Sequence, residues 1–197
     1  MKCIILSHIF IKKDDKEKLE LVEFALRHWG EHNPASYIIA TGHGLKPRNL
    51  EHCVNHNIWQ YDIVKKEIDY LQNDLLYQGL DLAHKKGFRN VLRSGSDTIH
   101  LRKNIFDFAE SLSNTDSKLL GSKKTKSDKQ DFFYPFLYGN IKLMKEISNA
   151  KNSNIEIEFV SSSKLKCIDL YAHWEHLKNK KNAMLSLDLI NESEFYL

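Results

Sequence analysis

Apolar positions along the first hundred residues switch between a strand rhythm and a helix rhythm. Cys3–Phe10 is a short apolar run of strand length that carries Ile4, Ile5, Leu6 and Ile9. Leu19, Val22, Ala25, Leu26 and Trp29 then fall at i, i+3, i+6, i+7 and i+10. That spacing predicts a helix capped by Asp14 or Asp15, with Gly30 just past its end. Ser36–Ala40 reads as a second buried strand. It runs into Thr41-Gly42-His43-Gly44, a loop where glycine permits a tight turn or a close approach. Ile58–Tyr61 is a short third strand candidate. Glu67–Lys86 is the clearest helix, with Ile68, Leu71, Leu75, Gly79, Leu82 and Ala83 on one face and Gly87 closing it. Phe88–Arg93 then reads as a strand and Ser94-Gly95-Ser96-Asp97 as a turn.

The second half is less periodic. Asn104–Leu112 reads as a helix and Lys118–Gly121 as a short strand. Asp131–Gly139 is dense in aromatic residues, and Asn140 caps a helix through Met144. Ile155–Val160 reads as a strand, and Leu170–Lys178 as a helix or ordered tail. Strands alternating with helices predict an α/β class with a Rossmann-like, mostly parallel central sheet and helices on both faces. No repeat or Pro/Gly/Ser-rich linker divides the chain, so residues 1–197 are read as a single domain.

In such sheets ligands bind at the carboxyl ends of strands. Three strand ends therefore face one crevice: Ser7-His8, Thr41–Gly44 and Ser94–Asp97.

Composition adds limits. The 197 residues are long enough to bury a core without staples. No apolar run approaches the roughly 20 residues of a spanning helix. The start resembles a signal peptide, but it has no small-residue cleavage site and charged residues follow from Lys12, so it is read as the first strand. Three scattered cysteines, Cys3, Cys53 and Cys167, without a CxxC pair, argue against a disulfide framework and for a reducing, cytoplasmic compartment. A net charge of +3 is too small to argue for nucleic acid as a partner. The charge is uneven, however. Lys118, Lys123, Lys124, Lys126 and Lys129 stand against Asp128 alone, so 121–130 is read as a mobile basic loop. Such a loop is a solvated surface, a lid over phosphates, or a peripheral contact with an anionic membrane.

Candidate chemistry centres on Arg93-Ser94-Gly95-Ser96-Asp97-Thr98. A lone carboxylate after a buried strand, flanked by small residues, can hold a divalent cation against a diphosphate. Arg93 can pair with a phosphate or with Asp97. The same residues can also form a plain loop in which Asp97 or Thr98 caps a helix. His52 and His56 at i, i+4 would share one face of a helix and could share a zinc ion, as could His173 and His176 at i, i+3, but no third ligand stands near. There is no GxxxxGK[ST] loop, no GxGxxG after the first strand and no GxSxG.

Gln72, Gly79-Leu80 with Ala83, and Val91-Leu92-Arg93-Ser94-Gly95-Ser96-Asp97 carry a resemblance. The run from Leu71 to Ile105 resembles the middle of nucleotide-sugar glycosyltransferases of the GT-A fold, above all the WavE-type proteins of lipopolysaccharide biosynthesis. Asp131-Phe132-Phe133-Tyr134 and Tyr138-Gly139 match a later aromatic stretch of that family loosely. The resemblance covers about half of the chain. It implies a GT-A-like fold, with residues 1–112 as the nucleotide-binding half and 113–197 as the acceptor-side half.

The resemblance further implies a hexosyltransferase-type reaction from a nucleotide-diphosphate sugar to a glycan or glycolipid acceptor. It places Ser7, His8, Gln72, Arg93, Ser96 and Asp97 against the donor, and Asp131 as the general base. Asp97 and His173 would hold a divalent cation, Mn or Mg. One departure is plain: the Asp-x-Asp metal motif needs an acid at position 95, where this chain has Gly95. The alternative reading is a non-catalytic α/β module that binds a nucleotide-sugar or carbohydrate and has lost that motif.

Overall fold

The computed structural model describes residues 1–61, 68–95, 98–113, 116–122, 136–149 and 155–170. In chain order the elements are β1 (Cys3–Ile11), α1 (Lys16–His32), β2 (Tyr37–Gly44), α2 (Leu50–Cys53), β3 (His56–Gln60), α3 (Ile68–Lys85), β4 (Asn90–Gly95), β5 (Thr98–His100), α4 (Ile105–Leu112), β6 (Leu119–Ser122), β7 (Phe136–Asn140), α5 (Ile141–Asn149), β8 (Ile157–Val160), α6 (Ser162–Leu165) and β9 (Cys167–Asp169). Seven strands form one sheet in the order β3-β2-β1-β4-β7-β6-β8, and β5 pairs with β9 in a separate antiparallel ribbon. β1 is parallel to both β2 and β4, β2 to β3, and β6 to β8. β7 runs antiparallel between β4 and β6. The sheet is mostly parallel and carries helices on both faces, as the alternating pattern predicts.

Each face buries its own core. Ile4, Leu6, Ile9 and Ile11 of β1 pack with Val22, Leu26 and Trp29 of α1 and with Phe106 and Ala109 of α4. Cys3 and Ile5 point to the opposite face, against Leu76, Leu80 and Ala83 of α3 and Met144 of α5. Strict alternation would place Ile9 with Ile5. It lies with Leu6 instead, because β1 carries a bulge. The β1–β2 register runs Leu6↔Ala40 and resumes at Ile9↔Gly42, so Ser7 and His8 together oppose Thr41. The extra residue restores the parity of the face. His8 absorbs the distortion at φ 62°, a left-handed conformation uncommon for a residue with a Cβ.

Three expectations shift. The first helix does not stop at Gly30 but continues to His32. It starts at the Asp15 cap, whose side chain accepts from the Lys18 N–H at 3.0 Å. Gly30 is needed for packing rather than termination: a Cβ there would lie 3.1 Å from the Cys53 carbonyl oxygen of α2. Thr41–Gly44 is not a loop but the end of β2, because the bulge lets β1 keep pairing through Ile11↔Gly44. His52 and His56 do not share a helix face. His52 ends α2, Val54 is extended, and His56 opens β3.

The buried face of α3 includes Leu75, Gly79 and Ala83 as expected, and Leu76 and Leu80 widen it. Leu76, Leu80 and Ala83 pack on the sheet, and Gly79 lets the helix rest on Thr41, whose Cγ2 would be 3.0 Å from an added Cβ. Asn140 Oδ1 accepts from Lys142 N at 2.9 Å at the start of α5, as its capping position predicts, and the helix runs on to Asn149. Of the basic loop 121–130, Gly121 and Ser122 complete β6, and 123–130 lie outside the described residues.

Candidate functional site

Strand order reverses at the centre of the sheet. From β1 the chain moves outward through β2 to β3, then crosses back to place β4 on the other side of β1. Crossover helices leave in opposite senses at such a point, and the crevice between them opens at the strands' carboxyl ends. The residues at that end of β1 are Ser7 and His8. Their neighbours across the ladder are Ser94 and Gly95 of β4, paired as Leu6↔Ser94 and Ser7↔Gly95.

Three predicted donor-site residues meet here. Arg93 Nε donates to Ser7 Oγ at 2.9 Å, and Arg93 Nη2 lies 2.7 Å from His8 Nδ1. Ser7 Oγ is 2.9 Å from the same Nδ1. A guanidinium only donates, so His8 Nδ1 must accept. That puts the ring proton of neutral His8 on Nε2. Burial, and then the positive charge of Arg93, push the His8 pKa down to about 3, and a hydrogen bond with Asn73 of α3 acts the other way. The imidazole is therefore neutral at physiological pH, and the positive charge of the cluster belongs to Arg93, which is buried.

The β2 end adds a second layer. His43 is buried and stacks on Phe10, with ring centroids 4.6 Å apart and 9° between planes. Burial, and then the Lys18 charge, lower its pKa, so it too is neutral. Trp59 of β3 donates from Nε1 to the Gly44 carbonyl at 2.9 Å. Its ring covers Gly42, where an added Cβ would come within 2.5 Å of it. The glycine is required by this close approach.

Gln72 sits half-buried in the first turns of α3. It is the next residue, Asn73, that hydrogen-bonds His8. The sequence held a signal for Asn73. It lies three and seven residues before the buried Leu76 and Leu80, so it is a polar residue on the face of α3 that packs on the sheet. Ser96, Asp97, Asp131 and His173 lie outside the described residues, as do Trp174 and His176. Among the described residues no group of three His, Cys, Asp or Glu side chains could hold a metal ion, and no helix is long and apolar enough to cross a membrane.

The mostly parallel seven-stranded sheet flanked by helices is a fold also seen in other α/β proteins. Two solved structures share it along nearly their whole length. A protein described as a nucleotide-diphospho-sugar transferase from Desulfovibrio desulfuricans G20 is similar over 98% of this chain and 94% of its own, at 10% identity and a TM-score of 0.52. A protein described as a glucose-1-phosphate thymidylyltransferase from Bacillus anthracis, solved with a sucrose, is similar over 94% of this chain and 97% of its own, at 11% identity and a TM-score of 0.52. No family model matches the chain, and no curated protein matches it in sequence.

Proposed function

We propose that this chain is a glycosyltransferase-like protein that binds a nucleotide-diphosphate sugar at the carboxyl ends of β1 and β4 and transfers the sugar to a glycan or glycolipid acceptor. The observation that supports it most is the Ser7–His8–Arg93 cluster, which brings a buried guanidinium to the switch point of a nucleotide-sugar-transferase fold. A cation there favours a diphosphate and the charge that grows on it as it leaves. Ser7 and His8 border the nucleotide, and Gln72 and Ser96 complete its polar contacts.

In this reading an acceptor hydroxyl attacks the sugar C1 and passes its proton to the Asp131 carboxylate as the bond to the nucleoside diphosphate breaks. A divalent cation, Mn or Mg, held by Asp97 and His173, supplies further charge neutralisation when bound. Residues 1–112 serve the nucleotide and 113–197 the acceptor. The lysines of 121–130 suit a cytoplasmic, peripheral contact with an anionic membrane, where a glycolipid acceptor of the lipopolysaccharide type is found.

The test is calorimetric titration with UDP-, GDP- and CMP-sugars, with and without Mn²⁺. One nucleotide class should bind, and binding should weaken at least about tenfold in Arg93→Gln, the scale of a lost charged hydrogen bond. No binding by any of the three would refute the proposal. Gly95 gives the second reading its one support. Binding with neither transfer nor hydrolysis, unchanged by Asp97→Ala, would identify a non-catalytic module.

A further inference from the structure

The residues that lead from β5 into α4 meet the residues that lead from α6 into β9, although the two segments are far apart in sequence. Two hydrogen bonds hold them together. Leu101 N donates to the Lys166 carbonyl at 3.1 Å, and Arg102 Nε donates to the Lys164 carbonyl at 3.1 Å. A cavity of about 500 Å³ opens where they meet, walled by Arg102, Lys103, Lys166, Asp107, Leu101 and Phe108.

The cavity sits at the amino end of β1. Lys2, just before that strand, reaches the Asp107 carboxylate at 2.6 Å. Asn104 N donates to the carbonyl of His32 at the end of α1. The Ser7–His8–Arg93 cluster lies at the other, carboxyl end of the sheet.

Three cations therefore face this space against one carboxylate, which Lys2 already neutralises. Like charges drawn around one cavity repel, and an anion between them relieves that cost. Arg102 is set in advance for such an anion. Its guanidinium carbon lies 4.0 Å from the centre of the Phe108 ring, and the Nε bond to Lys164 fixes the plane. Among the described residues its two Nη groups have no protein partner. A planar fork with two N–H groups to spare matches two oxygens of one phosphate. Lys166 holds its place at φ 53°, a conformation uncommon for a residue with a Cβ.

We infer that this cavity binds the phosphate group of a small organic phosphate, with Arg102 as the two-pronged contact and Lys103 and Lys166 as neutralising charges. Arg102, Lys103 and Lys166 exceed Asp107 by two positive charges, close to the charge of a phosphomonoester near neutral pH. The volume is larger than a lone phosphate needs and falls within the range of small-molecule sites. Leu101 offers the organic part an apolar wall. The site shares no residue with the donor crevice and stands whether or not that crevice takes a nucleotide-sugar.

Titration of the full ¹⁵N-labelled chain with glycerol 3-phosphate at constant ionic strength, followed by amide NMR, tests it. Saturable shifts should appear at the Leu101, Arg102, Lys103 and Lys166 amides, and glycerol at the same concentration should produce none. Arg102→Gln should weaken binding at least about tenfold, the scale of one charged hydrogen bond. Lys103 is exposed, so Lys103→Gln leaves the fold intact and should weaken binding about three- to fivefold. Lys142→Gln, exposed on α5, should stay within about twofold of wild type and serves as the charge control. Shifts that do not saturate, that spare these four amides, or that glycerol reproduces overturn the inference. So does an affinity unchanged in Arg102→Gln. If that variant does not fold, an affinity unchanged in Lys103→Gln overturns it instead.

Discussion

Arg93 lies opposite Ile5 in the β1–β4 ladder, yet its Nε donates to Ser7 Oγ at 2.9 Å, two residues further along β1. The guanidinium therefore leans along the strand direction, on the α3 face, toward the carboxyl end of the sheet. Residues two apart on a strand share a face, so this diagonal is within the reach of a long side chain. The hydroxyl and the guanidinium hold each other at the crevice. Ser7→Ala leaves a buried charged donor without that acceptor. It should cost about 1–3 kcal/mol in urea unfolding and weaken nucleotide-sugar binding as well.

His8 sits at φ 62° inside the bulge. A Cβ makes that conformation unfavourable, and glycine relieves it. His8→Ala and His8→Gly both remove the ring, so the difference between them reports on the backbone. His8→Gly should be the more stable of the two by about 1 kcal/mol in paired denaturation curves. The reverse order would show that the bulge is not strained.

Three buried histidines couple stability to pH. Burial is the leading cause at each, and it pushes His8 and His100 down to about 3 and His28 to about 4. In the unfolded chain each titrates near 6.5. Between those values the unfolded state binds protons that the folded state refuses, so stability falls as pH drops from about 6.5 toward 4. Above about 6.5 these groups add no pH dependence. Urea unfolding at pH 7.5, 6, 5 and 4.5 measures the slope. His28→Gln removes one titrating ring while keeping a donor, and should lower the slope by up to about 1.4 kcal/mol per pH unit.

The thiols should divide two to one. Cys3 and Cys167 are buried, and burial pushes Cys3 up to about 12 and Cys167 well above its ordinary range. Cys53 is half-buried at the end of α2. Reaction requires thiolate and access. A colorimetric thiol titration of the native protein should find Cys53 reacting first. Cys3 and Cys167 should react only in denaturant.

Much of the frame is legible residue by residue, because periodicity reports which face of an element is buried. Cys3–Phe10, the Leu19–Trp29 spacing and the helix around Leu75 and Gly79 all announce themselves, and their order implies an α/β sheet with strand ends at Ser7-His8, Thr41–Gly44 and Ser94–Asp97. What the linear pattern does not carry is anything set by partners distant in sequence. Phe136–Asn140 looks like an aromatic segment. It becomes an antiparallel strand because Leu92 and Leu120 flank Tyr138 from both sides. The one-residue bulge that makes His8 left-handed exists only relative to Thr41 of β2.

The same holds for the side chains. A hydrophobic stripe shows that Trp29 is buried, but only the fold brings its indole N–H to Thr98, 69 residues away. Gly30 reads locally as a helix end. In the fold the helix runs past it, and the α2 backbone pressing against it accounts for the missing side chain. Local rhythm specifies elements and their apolar faces, since both depend on neighbours within a few residues. Register, strand direction and the hydrogen-bond partners of buried polar groups depend on which distant segments dry each other, and that is a property of the folded chain.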